Sequence, residues 1–207
     1  MTFVLSLDEG TYLVKLARNA IETKLKTGET IKAKDAPEKF VQHCGVFVTL
    51  NKLDGSGHRL RGCIGFPYPV KPLVEAVIDS AISAATRDMR FNPVSMGEMN
   101  SIVVEVSVLT PPEPIKVNRP DQYPDQVEVG RDGLIISRGQ NRGLLLPQVP
   151  VEWDWDVEEF LTQCCIKAWL PPDAWLTQGT EVFKFQAIIF SEESPRGSVK
   201  RLELQSC

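Results

Sequence analysis

Apolar and polar positions alternate along this chain with periods that change from segment to segment, and those periods predict its elements. Leu7, Leu13, Val14, Ala17, Ile21 and Leu25 recur at helical spacing and predict a helix over 6–27. Ser6 with Glu9 forms a capping box at its start, and Gly28 suits the left-handed position past its end. Residues 29–44 read as loop. Gly45 to Leu50 reads as a strand, Asp54-Gly55-Ser56-Gly57 as a turn, and 58–65 as the returning strand. Pro67, Pro69 and Pro72 mark a loop, and Pro72 suits the first turn of a helix over about 72–87. That helix carries Ala81, Ala84 and Ala85, a small-residue face suited to close packing on a sheet. Residues 101–110 are largely apolar on both strand faces, with Glu105 interrupting, which predicts a central strand. Pro111, Pro112 and Pro114 end it. Short strands follow within 127–146, around Asp132-Gly133, Arg138-Gly139 and Arg142-Gly143. A helix begins at Asp156 and runs to about Trp169, and a last strand covers 181–191. Early strands joined by a hairpin, with few helices, favour an α+β fold over a doubly wound one. The expected sheet is mostly antiparallel and flanked by helices.

Composition narrows the classes of function. The chain has 207 residues, 43% hydrophobic and 24% charged, enough for a packed core without metal or disulfide staples. Its net charge of −4 argues against a protein that grips duplex nucleic acid, which carries a basic excess. No apolar run reaches the roughly 18 residues of a membrane span. Residues Met1 to Gly10 carry Asp8 and Glu9 and lack the basic-then-apolar order of a secretory signal, so a cytoplasmic location is expected. Cysteines at 44, 63, 164, 165 and 207 are odd in number, with one adjacent pair and no C-x-x-C, which does not describe a disulfide framework.

The segment Leu60-Arg61-Gly62-Cys63-Ile64-Gly65 concentrates the candidate chemistry. It resembles the signature hexapeptide of the AMMECR family. The resemblance continues through Arg87-Asp88-Met89-Arg90-Phe91-Asn92-Pro93-Val94, residues 104–110, 129–136, 144–149 and 155–161, and Cys165-Ile166-Lys167-Ala168. It implies one domain over 1–207 in a two-lobed arrangement, with a smaller lobe around 111–150. It implies no established activity. Microbial members accompany a Memo-like protein and a radical SAM protein, so the resemblance implies a shared modification pathway with those partners. Members have Gly after the Lys-Ala pair, where this chain has Trp169, a departure that argues against a left-handed helix end there.

Cys63 is the candidate nucleophile, because a thiolate attacks and a nearby cation lowers its pKa. On a regular strand Arg61 lies beside Cys63 and His58 faces away. Arg61 and Cys63 are therefore the candidate catalytic pair, with Gly62 and Gly65 as positions where a backbone or ligand approaches closely. The alternative is a buried Cys63 that fills space, with glycines that permit tight packing. Glu105 interrupts an apolar strand: it either pairs with Arg61 across the sheet, since a buried carboxylate needs a partner, or is a solvated or cap-bonded carboxylate near the sheet edge. Asp88 and Arg90 read either as an ion pair locking a helix exit, with Phe91 packed inward, or as a wall of a polar cleft. His43, Cys44, His58 and Cys63 match no zinc spacing, and no cofactor motif is recognised. Gly62-x-x-Gly65 resembles the KH loop that binds RNA, and Trp153 with Trp155 could stack bases, so a non-catalytic protein- or RNA-interaction module is the alternative function.

Overall fold

The computed structural model describes residues 4–33, 36–55 and 57–202. Ser56 of the expected turn, the first three residues and Cys207 lie outside the described residues. Two compact units emerge. The first is built from the chain up to Leu109 together with Ile188–Leu202, and the second from Thr110–Ala187.

In the first unit, α1 (Leu7–Thr27) starts on the expected capping box: Ser6 Oγ accepts from Glu9 N, and Glu9 returns to Ser6 N. Gly28 closes it at φ 76°. Strands β1 (Gly45–Asp54) and β2 (Gly57–Phe66) form the hairpin, and α2 (Leu73–Thr86) follows Pro72. The chain then runs to β3 (Ile102–Leu109). β1 pairs antiparallel with both β2 and β3. The sheet order is β2-β1-β3-β7, where β7 (Glu181–Glu192) runs from the second unit into the first and pairs there with β8 (Val199–Leu202). The expected central position of residues 102–109 is observed, which accounts for their apolar character on both faces.

One sheet face carries Val46, Val48, Leu50, Val104, Val106 and Val108, all buried against α1 and α2. Gly62 lies on this face, and a Cβ there would stand 2.3 Å from Ala84 O. The glycine lets the backbone of α2 lie against β2, so the alanine-rich helix face and Gly62 are two halves of one close packing. A buried ion pair ties α1 to the far end of this unit. Arg18 donates from Nε and Nη2 to the two Glu192 oxygens at 2.5 Å each, and from Nη2 to Ile102 O at 2.6 Å. Glu192 also accepts from Val104 N, so both buried charges have hydrogen-bond partners.

The second unit holds β4 (Glu113–Pro114), the β5 (Asp132–Arg138) and β6 (Asn141–Leu145) hairpin, α3 (Gln148–Glu152) and α4 (Val157–Lys167). Strands β4 and β5 pair with the first half of β7. Asp156, where the helix is expected to begin, caps α4 by accepting from Glu159 N. Phe160, Leu161, Cys164 and Cys165 pack with Leu134, Ile136 and Trp175 to form the core. The end of α4 corrects one expectation. Trp169 adopts φ 58°, the left-handed conformation that the departure from Gly argued against, and its side chain is 90% exposed. Among the described residues no helix is long and apolar enough to cross a membrane.

Candidate functional site

β2 lies at the edge of its sheet, and Cys63 sits near its middle. Antiparallel strands leave every second residue of an edge strand with outward-facing N–H and C=O groups. At Cys63 those groups are taken up by side chains from the segment after α2. Asp88 Oδ2 accepts from Cys63 N at 2.9 Å, and Arg90 Nη2 donates to Cys63 O at 3.3 Å. Arg90 also grips Asp88 through Nε at 3.0 Å and Nη2 at 2.7 Å, and its own N–H donates to Asp88 Oδ1 at 3.1 Å. The pair thus imitates a neighbouring strand and closes the edge at this position. Hydrogen bonding by Arg90 holds the Asp88 carboxyl well below the usual carboxylate range, despite its burial.

The side chain of Cys63 faces away from α2, because adjacent Gly62 faces it. Across the sheet Cys63 is paired with Thr49, and Thr49 with Glu105. The three side chains therefore form one row on the face opposite the helices. Thr49 Oγ1 donates to Cys63 Sγ at 3.4 Å. Burial pushes the Cys63 thiol up; the Thr49 hydroxyl and Arg90 pull it back, while Glu105 and Asp88 add to the rise. Burial also pushes the Glu105 carboxyl up. No hydrogen bond or ion pair to Glu105 occurs among the described residues. Cys63 is partly exposed, whereas Cys44, Cys164 and Cys165 are buried. Burial drives Cys44 to about 11 and Cys164 to about 12.

Comparisons with known proteins place the chain. The AMMECR1 family model matches residues 14–190. The chain belongs to the AMMECR1 family. Protein PH0010 of Pyrococcus horikoshii is 55% identical over 206 residues, covering 99% of this chain and 100% of that protein. Protein MJ0810 of Methanocaldococcus jannaschii is 55% identical over 196 residues, covering 95% and 96% respectively. A crystal structure described as that of the uncharacterised protein PH0010 aligns with a TM-score of 0.80 at 56% identity, over 94% of this chain and 97% of that one. This AMMECR1-family chain shares the fold of that crystal structure.

Arg61 stands elsewhere than the strand parity predicts. The β1–β2 register slips by one between Leu50 and Asn51: Leu50 pairs with Gly62 and Asn51 with Leu60. Arg61 is the extra residue of this β-bulge. Its guanidinium binds Glu98, Nε to Oε1 at 3.0 Å and Nη2 to Oε2 at 3.3 Å, and it lies 5.8 Å from the Phe91 ring centre. Hydrogen bonds from Arg61 and Ser95 N bring Glu98 down to about 2. The expected Arg61–Glu105 pair is absent, and the cation acting on the Cys63 thiol is Arg90. The bulge also reverses the expectation for His58. It pairs with Leu53, which puts it in register on the Cys63 face, yet four residues along β1 set it roughly 13 Å away. His43 bonds Pro69 O instead.

The two glycines are filled from within the unit. Gly62 receives the α2 backbone, and the Phe47 ring lies over Gly65, 2.6 Å from where a Cβ would stand. Asp88 and Arg90 do form the expected helix-exit ion pair, while Phe91 is half-buried between Arg61 and Arg90 rather than packed inward. Sequence reading missed Thr49 and Glu98. Thr49 was legible only through strand pairing, and Glu98 only through a contact 37 residues from Arg61. Among the described residues no His, Cys, Asp and Glu group is arranged to hold a metal.

Proposed function

We propose that this AMMECR1-family chain is an enzyme component of a cytoplasmic modification system, working at the row Cys63, Thr49 and Glu105. The carrying observation is a partly exposed thiol in one row with a carboxyl that has no hydrogen-bond or ion-pair partner among the described residues. Burial keeps the resting thiol protonated, so attack requires a base at the moment of reaction. In that step the Cys63 sulfur–carbon bond forms, the bond from that carbon to its leaving group breaks, and the thiol proton passes by way of solvent water to the leaving group. Asp88 and Arg90 hold the backbone of Cys63, and Arg61 with Glu98 holds the bulge next to it. Memo-like and radical SAM proteins are the proposed partners, on the strength of the family resemblance.

A reconstitution of the three proteins tests this reading. Cys63→Ser should abolish product while partner binding persists, and iodoacetamide should label Cys63 before Cys44, Cys164 and Cys165. Full product formation with Cys63→Ser would refute it. The exposed Trp153, which stacks on Trp155 with ring centres 6.2 Å apart, favours a second reading as an interaction module. That reading gains if Trp153→Ala, rather than Cys63→Ser, removes product together with partner binding.

A further inference from the structure

The charges around Cys63 do not balance. Asp88 and Arg90 neutralise one another through a two-point ion pair. Arg61 is consumed by Glu98, and Thr49 is neutral. Once ionised, Glu105 adds one negative charge that no described group opposes. Its neighbours on β3 on the same face, Val103 and Ser107, are buried and bring no cation. The flanking β1 residues on that face, Phe47 and Asn51, bring none either. Glu105 is half-buried, and a carboxyl that gives up part of its water without gaining a donor carries an uncompensated cost. Here Glu105 sits two strand spacings from Cys63, roughly 10 Å at the Cα positions, with Thr49 between them in the row.

We propose that this face receives a substrate carrying a protonated amine, whose ammonium pairs with the Glu105 carboxylate while its reactive carbon is presented to Cys63 Sγ. The inference rests on Cys63 as the working thiol. A carboxylate without a donor is stabilised by a cationic N–H group, and such charge-assisted bonds are among the strongest available. The spacing of the row asks for an amine a few bonds from the reacting carbon, as in a lysine side chain or an aminoacyl group. Arg90 sets the opposing expectation, because its guanidinium also lies beside Cys63 and would favour an anionic substrate if Asp88 did not neutralise it.

Charge-matched thiol reagents decide between these. The full chain is treated with 2-aminoethyl methanethiosulfonate, a cation, and 2-sulfonatoethyl methanethiosulfonate, an anion. Modification of Cys63 is followed by peptide mass mapping, and rates are divided by those of a free thiol in solution. The expected result is a cation preference of about tenfold or more at low salt, shrinking as salt rises and lost in Glu105→Gln. No preference, an anion preference, or a cation preference that survives Glu105→Gln overturns the proposal. If Glu105→Gln does not fold, Glu105→Asp and Glu105→Met take its place as a charged and an uncharged replacement. The cation preference should persist in Glu105→Asp and be lost in Glu105→Met, and a preference that is the same in both overturns the proposal. Failure of both reagents to modify Cys63 removes the amine site and the working thiol together. Modification without charge preference removes only the amine site.

Discussion

Replacing Asp88 with Asn tests how the Cys63 segment is held in place. The Asp88 side chain is 5% exposed and accepts four hydrogen bonds, from Cys63 N, Arg90 N, Arg90 Nε and Arg90 Nη2. Asn has a single acceptor oxygen and no charge, so the guanidinium fork cannot be satisfied at both points. A hydrogen bond to a charged group contributes about 1.5–3 kcal/mol. The Arg90 side chain is 56% exposed, so water screens its half of the pair, and the total loss is about 2–4 kcal/mol rather than the sum over four bonds. If the edge opens locally, the Cys63 amide proton should exchange about 30- to 900-fold faster. Amide hydrogen exchange at neutral pH measures this directly. Exchange at Cys63 accelerated by no more than about threefold would mean that β2, rather than Asp88, holds the residue. The pH dependence has a definite sign. The folded pKa of Asp88 is depressed by Arg90, so its stabilisation is complete above the unfolded value of about 3.9 and is lost as pH falls through the lower folded value. The difference between the natural chain and Asp88→Asn should therefore persist throughout the neutral range and close only in strong acid.

Two further substitutions test the surrounding architecture. Gly62→Ala places a Cβ 2.3 Å from Ala84 O, which forces α2 away from β2 at a cost of about 1–3 kcal/mol; thermal unfolding monitored by helical circular dichroism should show it, and an unchanged midpoint would remove the close-packing account of this glycine. Trp169→Gly relieves a left-handed backbone at φ 58° and removes a side chain that is 90% exposed, so the urea midpoint should rise by the equivalent of about 0.5–1 kcal/mol, whereas a fall would show that the indole stabilises the fold.

Much of the fold is legible in the chain because local rules act there without competition. Ser6 with Glu9 and Asp156 with Glu159 satisfy helix N–H groups within three residues, so pattern and structure agree. The apolar run 102–109 shows its central position because both its faces meet other parts of the protein. The candidate site is less legible for a definite reason. Strand parity extrapolates from a regular ladder, and one inserted residue reverses every assignment beyond it. The bulge at Arg61 puts His58 in register with the Cys63 face and turns Arg61 toward Glu98.

What the sequence determined by itself is the family, the antiparallel α+β class, the helix caps and the identity of Cys63, Asp88, Arg90 and Glu105 as residues with chemistry to account for. Those follow from local patterns and from ordered blocks of residues along the chain. Only the tertiary structure decided their partnerships. Asp88 and Arg90 pair with each other and with the backbone of Cys63 across 25 and 27 residues, and Glu98 rather than Glu105 takes Arg61. Long-range pairing depends on register and on which groups compete for each charge. Neither is written in the spacing of residues along the chain, and it is their outcome that leaves Cys63 in one row with a carboxyl that has no partner among the described residues.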